Sequence, residues 1–189
     1  VDAYACVRGS HDISGKEKEP LDEASLFNAL EGMRDKVDCV AVTGYMSVRN
    51  PGHEVRAAKA AAEMLKVPAV CGFQLSSGLG FNERSVTAVM NARLIPVIED
   101  LIRSVRRVMC TNGIAAPLMI VRGNGSVMGE SVALECPVET ILSGPASSLT
   151  GARAMTGLDD AIVVDMGGTT TDIGVLRGGF PGIETPMSV

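Results

Sequence analysis

Residues 163–176 read VVDMGGTTTDIGVL: two β-rich apolar runs around a turn of glycines and hydroxyls, with Asp165 and Asp172 at its ends. Thr171, Ile173 and Val175 alternate with Asp172, Gly174 and Leu176, which is the period of a strand. The turn therefore joins strand to strand. That excludes a dinucleotide fingerprint, whose glycines run from a strand into a helix. It also excludes a Walker loop, which needs a lysine before its Ser/Thr and again a helix. Gly167 and Gly168 are expected to adopt torsions barred to other residues, so that successive N–H groups converge on an anion. Thr169, Thr170 and Thr171 add hydroxyl donors. Polyphosphate is the natural ligand of such a turn. Two carboxylates beside it would repel it unless a cation intervened, and Mg2+ suits because it takes few protein ligands and bridges phosphates. The residues thus point to ATP with Mg2+, Asp165 and Asp172 being the catalytic and metal-binding carboxylates and Gly167 to Thr171 the phosphate cradle. The bland alternative is a plain hairpin with a polar turn, although ordinary hairpins prefer short Asn-Gly-like turns.

Upstream, the pattern alternates strand and helix. Strands are expected over 1–7, 38–45, 67–73 and 117–123, with a polar loop over 8–20. Helices are expected over 21–36, 53–66 and about 83–109, and within 138–157. Pro96 is expected to kink or split the third of these. Asn50-Pro51-Gly52 and Asn124-Gly125 read as turns. Pro145 suits a helical first turn and Gly157 a helix stop. The order argues an α/β fold with a largely parallel sheet, ended by an antiparallel hairpin.

The chain has 189 residues, enough for one domain or two small ones. A net charge of −5 argues against a nucleic-acid partner, which would need a basic face. No apolar run reaches the roughly 18–20 residues of a membrane span, and no secretory leader is expected at the N-terminus. The five cysteines are odd in number, widely spread and without a CxxC. They read as reduced thiols, hence a cytoplasmic location. Val1 in place of an initiator methionine leads us to expect an internal piece of a longer protein.

The hairpin resembles the second phosphate loop of the actin, sugar-kinase and heat-shock-chaperone superfamily. The segment SGPASSLTGA (143–152) resembles the small-residue connector helix that precedes that loop. More narrowly, ILSGPASSLTGA followed by DMGGTTTDIGVL resembles the hydantoinase/oxoprolinase family, specifically its hydantoinase A-type subunit. PLDEASLFNALEGMRD, VAVTGYMSVRNPGHEVRAA and NERSVTAVMNARL agree. One departure is Ser147 and Ser148, where the family often has glycines.

The resemblance implies a ribonuclease H-like, actin-like ATPase lobe with a mixed, largely parallel sheet, plus the start of a second lobe. Residues 1–142 would be a partial first lobe, 143–157 the connector helix and 158–189 the first hairpin of a truncated second lobe. It adds Ser143 and Gly144 to the nucleotide-binding set. It implies ATP cleavage coupled to opening a cyclic amide such as 5-oxoproline or a hydantoin, or to carboxylating a ketone. A hydantoinase B-type subunit or domain would be the partner. The superfamily's first phosphate loop and its adenosine-binding segments have no counterpart here, so the segment alone is expected to be inactive. Two other classes share the superfamily: a non-metabolic ATPase of chaperone or filament type, and a sugar or acyl kinase. The Ser-Gly-Pro connector favours the amidohydrolase or carboxylase, since chaperone connectors read Asn-Glu-Pro-Thr.

Other features have plainer readings. His11 lies in a polar loop and is expected at the surface. His53 is expected to be structural at a helix start, its alternative being an active-site base. With the two placed so, zinc is not expected. The Gly78-Leu79-Gly80 loop before Glu83 and Arg84 is either a simple turn or the border of a substrate cleft. Arg103, Arg106 and Arg107 form a solvated face or a subunit contact. Finally, strands 161–165 and 171–176 could pair with a sheet of 38–44, 68–72 and 117–121. The alternatives are a projecting hairpin covered by another contact, or disorder.

Overall fold

The computed structural model describes residues 3–182. Its chain divides into two compact units, one up to Val97 and one from Ile98 onward.

In the first unit, strands β1 (Ser10–His11) and β2 (Glu17–Glu19) form a small antiparallel hairpin. It occupies the segment expected to be loop. The Asp12 carboxylate creates it by accepting the N–H groups of Ser14 and Lys16 at 2.8 and 3.0 Å, while Gly15 takes a φ of +89°. Residues 3–7 form no strand, contrary to expectation, and the first two residues of that predicted strand lie outside the described residues. An apolar run becomes a strand only where a partner edge meets its N–H and C=O groups.

Helix α1 (Glu23–Met33) starts where Asp22 accepts the Ser25 N–H at 3.0 Å, a side-chain cap for an otherwise orphan donor. It buries Leu26 and Leu30 against Ala57 and Ala61 of α2 (Gly52–Leu65). Strands β3 (Val40–Val42) and β4 (Ala69–Cys71) lie parallel on either side of α2 in sequence, Val40 opposite Ala69 and Val42 opposite Cys71. This is the expected βαβ unit. A short helix α3 (Gly72–Leu75) follows β4, and α4 (Phe81–Thr111) begins after the glycine-rich loop. Val70, Ala92 and Ile95 form a second core cluster.

Helix α4 runs unbroken through Pro96. The proline deletes one backbone hydrogen bond, but apolar burial holds the helix on both sides of it. Ala92 and Ile95 are anchored in the first unit, Ile98 and Ile102 in the second.

The second unit takes up the remainder of α4. Strands β5 (Met119–Val121) and β6 (Val127–Gly129) form an antiparallel hairpin, its turn at Asn124-Gly125 as expected. Helix α5 (Glu130–Glu135) and a 3-10 turn (Pro137–Thr140) follow. Ile98, Ile102, Met128 and Ala133 form the core here. Helix α6 (Ser143–Thr156) ends at Gly157, whose φ of +72° lets its N–H reach the Arg153 carbonyl at 2.8 Å. Strands β7 (Ala161–Met166), β8 (Thr171–Arg177) and β9 (Phe180–Pro181) make a three-stranded antiparallel sheet.

The α/β class holds, but the expected continuous, largely parallel sheet does not form. Among the described residues only β3 and β4 pair in parallel, and the other three sheets are antiparallel. Within the expected strand, residues 119–121 pair with the strand that follows Asn124-Gly125, because a short turn delivers that edge first. The terminal hairpin does not join 38–44, 68–72 and 117–121; its ladder partners lie within its own sheet. It is covered on one face by α6, closest to the projecting-hairpin alternative. Part of the predicted second-lobe segment, residues 183–189, lies outside the described residues.

Candidate functional site

The hairpin turn is the site that the sequence singles out. In the β7–β8 ladder Asp165 stands directly opposite Asp172. Directly opposed residues of an antiparallel pair project to the same face, where like charges repel. The same face carries Val163 opposite Gly174 and Ala161 opposite Leu176. Helix α6 packs on that side: Leu149 is buried against Gly174, and the Ser148 hydroxyl donates to Asp165 Oδ2. Pro145, Ser148, Asp165 and Asp172 share the wall of a small cavity of about 20 Å3, room for roughly one water or one small ion. Both aspartates are otherwise exposed.

The turn between the strands is closed by the Gly167 N–H donating to the Thr170 carbonyl at 2.9 Å. The N–H groups of Gly168, Thr169 and Thr170 have no protein acceptor among the described residues. Neither Gly167 nor Gly168 has a positive φ, which corrects the expectation that the turn needs torsions barred to other residues. Nor does packing demand glycine: a Cβ on Gly168 would meet nothing within 4 Å, and one on Gly167 would meet only the Thr170 carbonyl at 3.5 Å. The bare backbone leaves room for close approach from outside. Paired carboxylates, unpaired N–H groups and three hydroxyls form a donor set suited to a hydrated cation with phosphate oxygens.

Ser143 and Gly144 begin α6 and are not among the residues that wall the small cavity. The Ser143 carbonyl accepts the Ser147 hydroxyl at 2.6 Å, and a Cβ on Gly144 would meet nothing within 4 Å. Ser148 was missed as a site residue in the sequence. The available signal was its spacing: three residues after Pro145, it lies on the same side of the helix, and the two wall the same cavity.

Two further residues escaped sequence reasoning. Glu54, fully buried at the start of α2, accepts the N–H groups of Gly44 at 2.6 Å and Phe73 at 3.0 Å. Arg84, equally buried in α4, donates to the carbonyls of Gly44 at 2.6 Å, Gly78 at 2.9 Å and Tyr45 at 3.1 Å. Together they pin the loop after β3 and the glycine loop before α4. The glycines at 78 and 80 thus serve a turn held by a buried guanidinium. His11 is not on a surface loop as expected; it lies in β1, half-buried, with its ring centroid 4.1 Å from that of His53. Of the basic side chains on the last part of α4, Arg103 pairs with Asp100 at 3.0 Å and Arg106 with Glu130 at 2.5 Å, and Arg107 is exposed.

No helix among the described residues is long and apolar enough to cross a membrane. Residues 2–65 match the hydantoinase/oxoprolinase N-terminal region, and residues 84–189 match the hydantoinase/oxoprolinase family. Caprolactamase subunit alpha of Pseudomonas jessenii is 35% identical over 170 residues, 87% of this chain and 24% of that protein. The 5-oxoprolinase 1 of Arabidopsis thaliana is 31% identical over 183 residues, 90% of this chain and 14% of that protein. The crystal structure of the ATP-dependent caprolactamase from Pseudomonas jessenii superposes with a TM-score of 0.78 at 34% identity, over 89% of this chain and 25% of the other. This chain spans about a quarter or less of these relatives. With both segments matched and the fold shared, the chain belongs to the hydantoinase/oxoprolinase family.

Proposed function

We propose that the protein carrying this chain uses ATP with Mg2+ to activate the carbonyl of a cyclic amide, and that the β7–β8 turn is one of its phosphate loops. The observation that carries this is the opposition of Asp165 and Asp172 at the mouth of a turn whose glycines the fold itself does not require. The relatives named above are lactam- and oxoproline-directed, and the one of known structure is described as ATP-dependent. A ketone substrate, as in the carboxylase branch, is the nearest alternative. A chaperone- or filament-type ATPase and a sugar or acyl kinase stand further off, because the family assignment does not support them.

In this reading the N–H groups of Gly168, Thr169 and Thr170 and the hydroxyls of Thr169, Thr170 and Thr171 hold phosphate oxygens. Asp165 and Asp172 would hold the cation, whose charge would offset their mutual repulsion. Ser148 fixes the rotamer of Asp165 by donating to it. Ser143 and Gly144 would contribute from the start of α6 as the connector closes. When bound, ATP would supply a phosphoryl group that turns the oxygen of a poorly electrophilic amide carbonyl into a leaving group. Phosphoryl transfer depends on positioning and charge neutralisation, and a set of glycines, threonines and aspartates provides both.

The domain reading follows. Residues 1–142 would belong to a ribonuclease H-like first lobe, 143–157 to the connector and 158–189 to the start of a second lobe. The outer face of the hairpin supports an unfinished lobe: Ile162, Val164 and Ile173 are 73%, 51% and 73% exposed. A hydantoinase B-type subunit or domain would be the catalytic partner. The test is Asp165→Asn in the complete protein, with lactam- and 5-oxoproline-dependent ATP hydrolysis as the readout. Loss of turnover by at least a hundredfold with an unchanged circular dichroism spectrum is expected. Normal turnover would remove the assignment.

A further inference from the structure

A second cluster of ligating side chains lies in the first unit, remote in sequence from the hairpin turn. In the β1–β2 ladder His11 stands opposite Glu17, so the two side chains share a face. Asn50 clips this hairpin to the start of α2: its Nδ2 donates to the Gly15 carbonyl at 2.8 Å, and its Oδ1 accepts the Gly52 N–H at 3.1 Å. The next residue, His53, is thereby delivered to the pair. Its Nε2 lies 3.1 Å from Glu17 Oε2. Gly9 permits the close approach, since a Cβ there would stand 3.1 Å from His53 Nδ1, and its φ is +147°.

One ligand atom from each of His11, Glu17 and His53 falls within 4.8 Å of the others. Tetrahedral zinc sets its ligand atoms roughly 3.3 Å apart. The His53–Glu17 spacing already meets that, and His11 needs to close by no more than about 1.5 Å, a side-chain adjustment. His53 is buried, and the Nε2 of His11 is buried without a hydrogen-bond partner among the described residues. A buried ring nitrogen in that state costs free energy unless something binds it. The hydrogen-bond contact between His53 and Glu17 alone would leave that nitrogen unexplained.

We propose that His11, Glu17 and His53 bind a divalent transition-metal ion, with Zn2+ the species their two imidazoles and one carboxylate suit best. Three protein ligands leave a coordination position open. His11 and His53 both line a cavity of about 830 Å3, with Ser47, Glu54 and Arg93 among its polar groups. An oxygen from that cavity, of water or of the carbonyl or carboxylate of a bound molecule, would complete the coordination. This inference stands apart from the nucleotide reading, because none of its ligands belongs to that site.

The test is Zn2+ titration of the complete, metal-stripped protein, by calorimetry and by competition with a chromophoric chelator. One ion per chain with micromolar or tighter affinity is expected. His11→Gln and Glu17→Gln should each weaken binding at least tenfold; Glu17 is partly exposed, so its variant keeps the fold. The double variant Asp165→Asn/Asp172→Asn should bind Zn2+ as before, even where nucleotide hydrolysis is lost. Co2+ in place of Zn2+ should give tetrahedral visible absorption without a thiolate charge-transfer band. The proposal is overturned if no Zn2+ binds, if both the His11 and Glu17 variants bind unchanged, or if blocking the thiols abolishes binding while the histidine variants retain it.

Discussion

Leu149 packs onto the bare backbone of Gly174: a Cβ built on that glycine would stand 2.8 Å from Leu149 Cδ1, 2.9 Å from Cδ2 and 3.1 Å from Cγ. This contact seats α6 on the hairpin and puts Ser148, one residue earlier, beside Asp165. Gly174→Ala is expected to cost about 1–3 kcal/mol through overpacking. Leu149→Ala should cost about 2–5 kcal/mol through the cavity it leaves. The double variant should lose less than the sum, because the smaller side chain admits the new methyl. Urea denaturation of the four proteins measures the coupling, and strict additivity would show that Leu149 does not rest on Gly174.

The glycines of α6 behave differently. A Cβ on Gly144 or Gly151 meets nothing within 4 Å. Glycine inside a helix is about 1 kcal/mol less favourable than alanine. Gly151→Ala should therefore raise stability by up to that amount. Gly151→Leu should be neutral or stabilising to folding yet lower turnover in the complete protein, if α6 is the connector against which the lobes close. Steady-state kinetics beside thermal melts would separate the effects. A leucine variant with full kcat would deny the helix that role.

The buried pair in the first unit is a matter of stability. Glu54 satisfies two backbone donors with one carboxylate, and Arg84 satisfies carbonyls from two loops. Glu54→Gln replaces one of the accepting oxygens by an amide NH2 donor, which faces a backbone N–H or turns away. It should cost about 1.5–3 kcal/mol, the usual scale for a hydrogen bond to a charged group. Arg84→Lys should recover only part of the loss seen in Arg84→Met, because an ammonium lacks the forked geometry that reaches both loops. Equal midpoints for Arg84→Lys and the parent in chemical denaturation would contradict this.

Much of the local structure was legible in the sequence, for reasons the structure makes plain. α1, α2 and α6 follow from apolar spacing plus caps at Asp22 and Gly157, and the hairpin from strict alternation over 171–176. Pairing between segments was not legible. The run at 117–123 has the look of a buried parallel strand, but a tight Asn-Gly turn gave it an antiparallel neighbour. The β1–β2 hairpin hides in a polar stretch because a single carboxylate, Asp12, builds its turn. In the candidate site, the two aspartates were visible as charges without a counterion, whereas Ser148 became evident only once α6 was docked. His11 and His53 are 42 positions apart, and no periodicity relates them; their meeting depends on the Asn50 clip.

The cysteines give a test of burial that depends on pH. Cys71 ends β4 and is buried; burial, with the Glu54 charge adding to it, pushes its thiol up to about 11. Cys6 and Cys110 are exposed. Thiolate is the reactive form, so at pH 8 about one Cys71 in a thousand is ionised at any instant. Iodoacetamide at pH 8 should label Cys6 and Cys110 well before Cys71, with peptide mass spectrometry as the readout. The Cys71 rate should rise about tenfold per pH unit toward 11 while the fold persists. The sign for stability follows: the folded thiol keeps its proton where the unfolded one, near 9.0, has lost it. Above about pH 9 the unfolded chain therefore binds fewer protons, and stability falls as pH rises toward 11. Cys71 labelling as fast as Cys110 at pH 8 in the folded protein would show that β4 does not sit in the core described here.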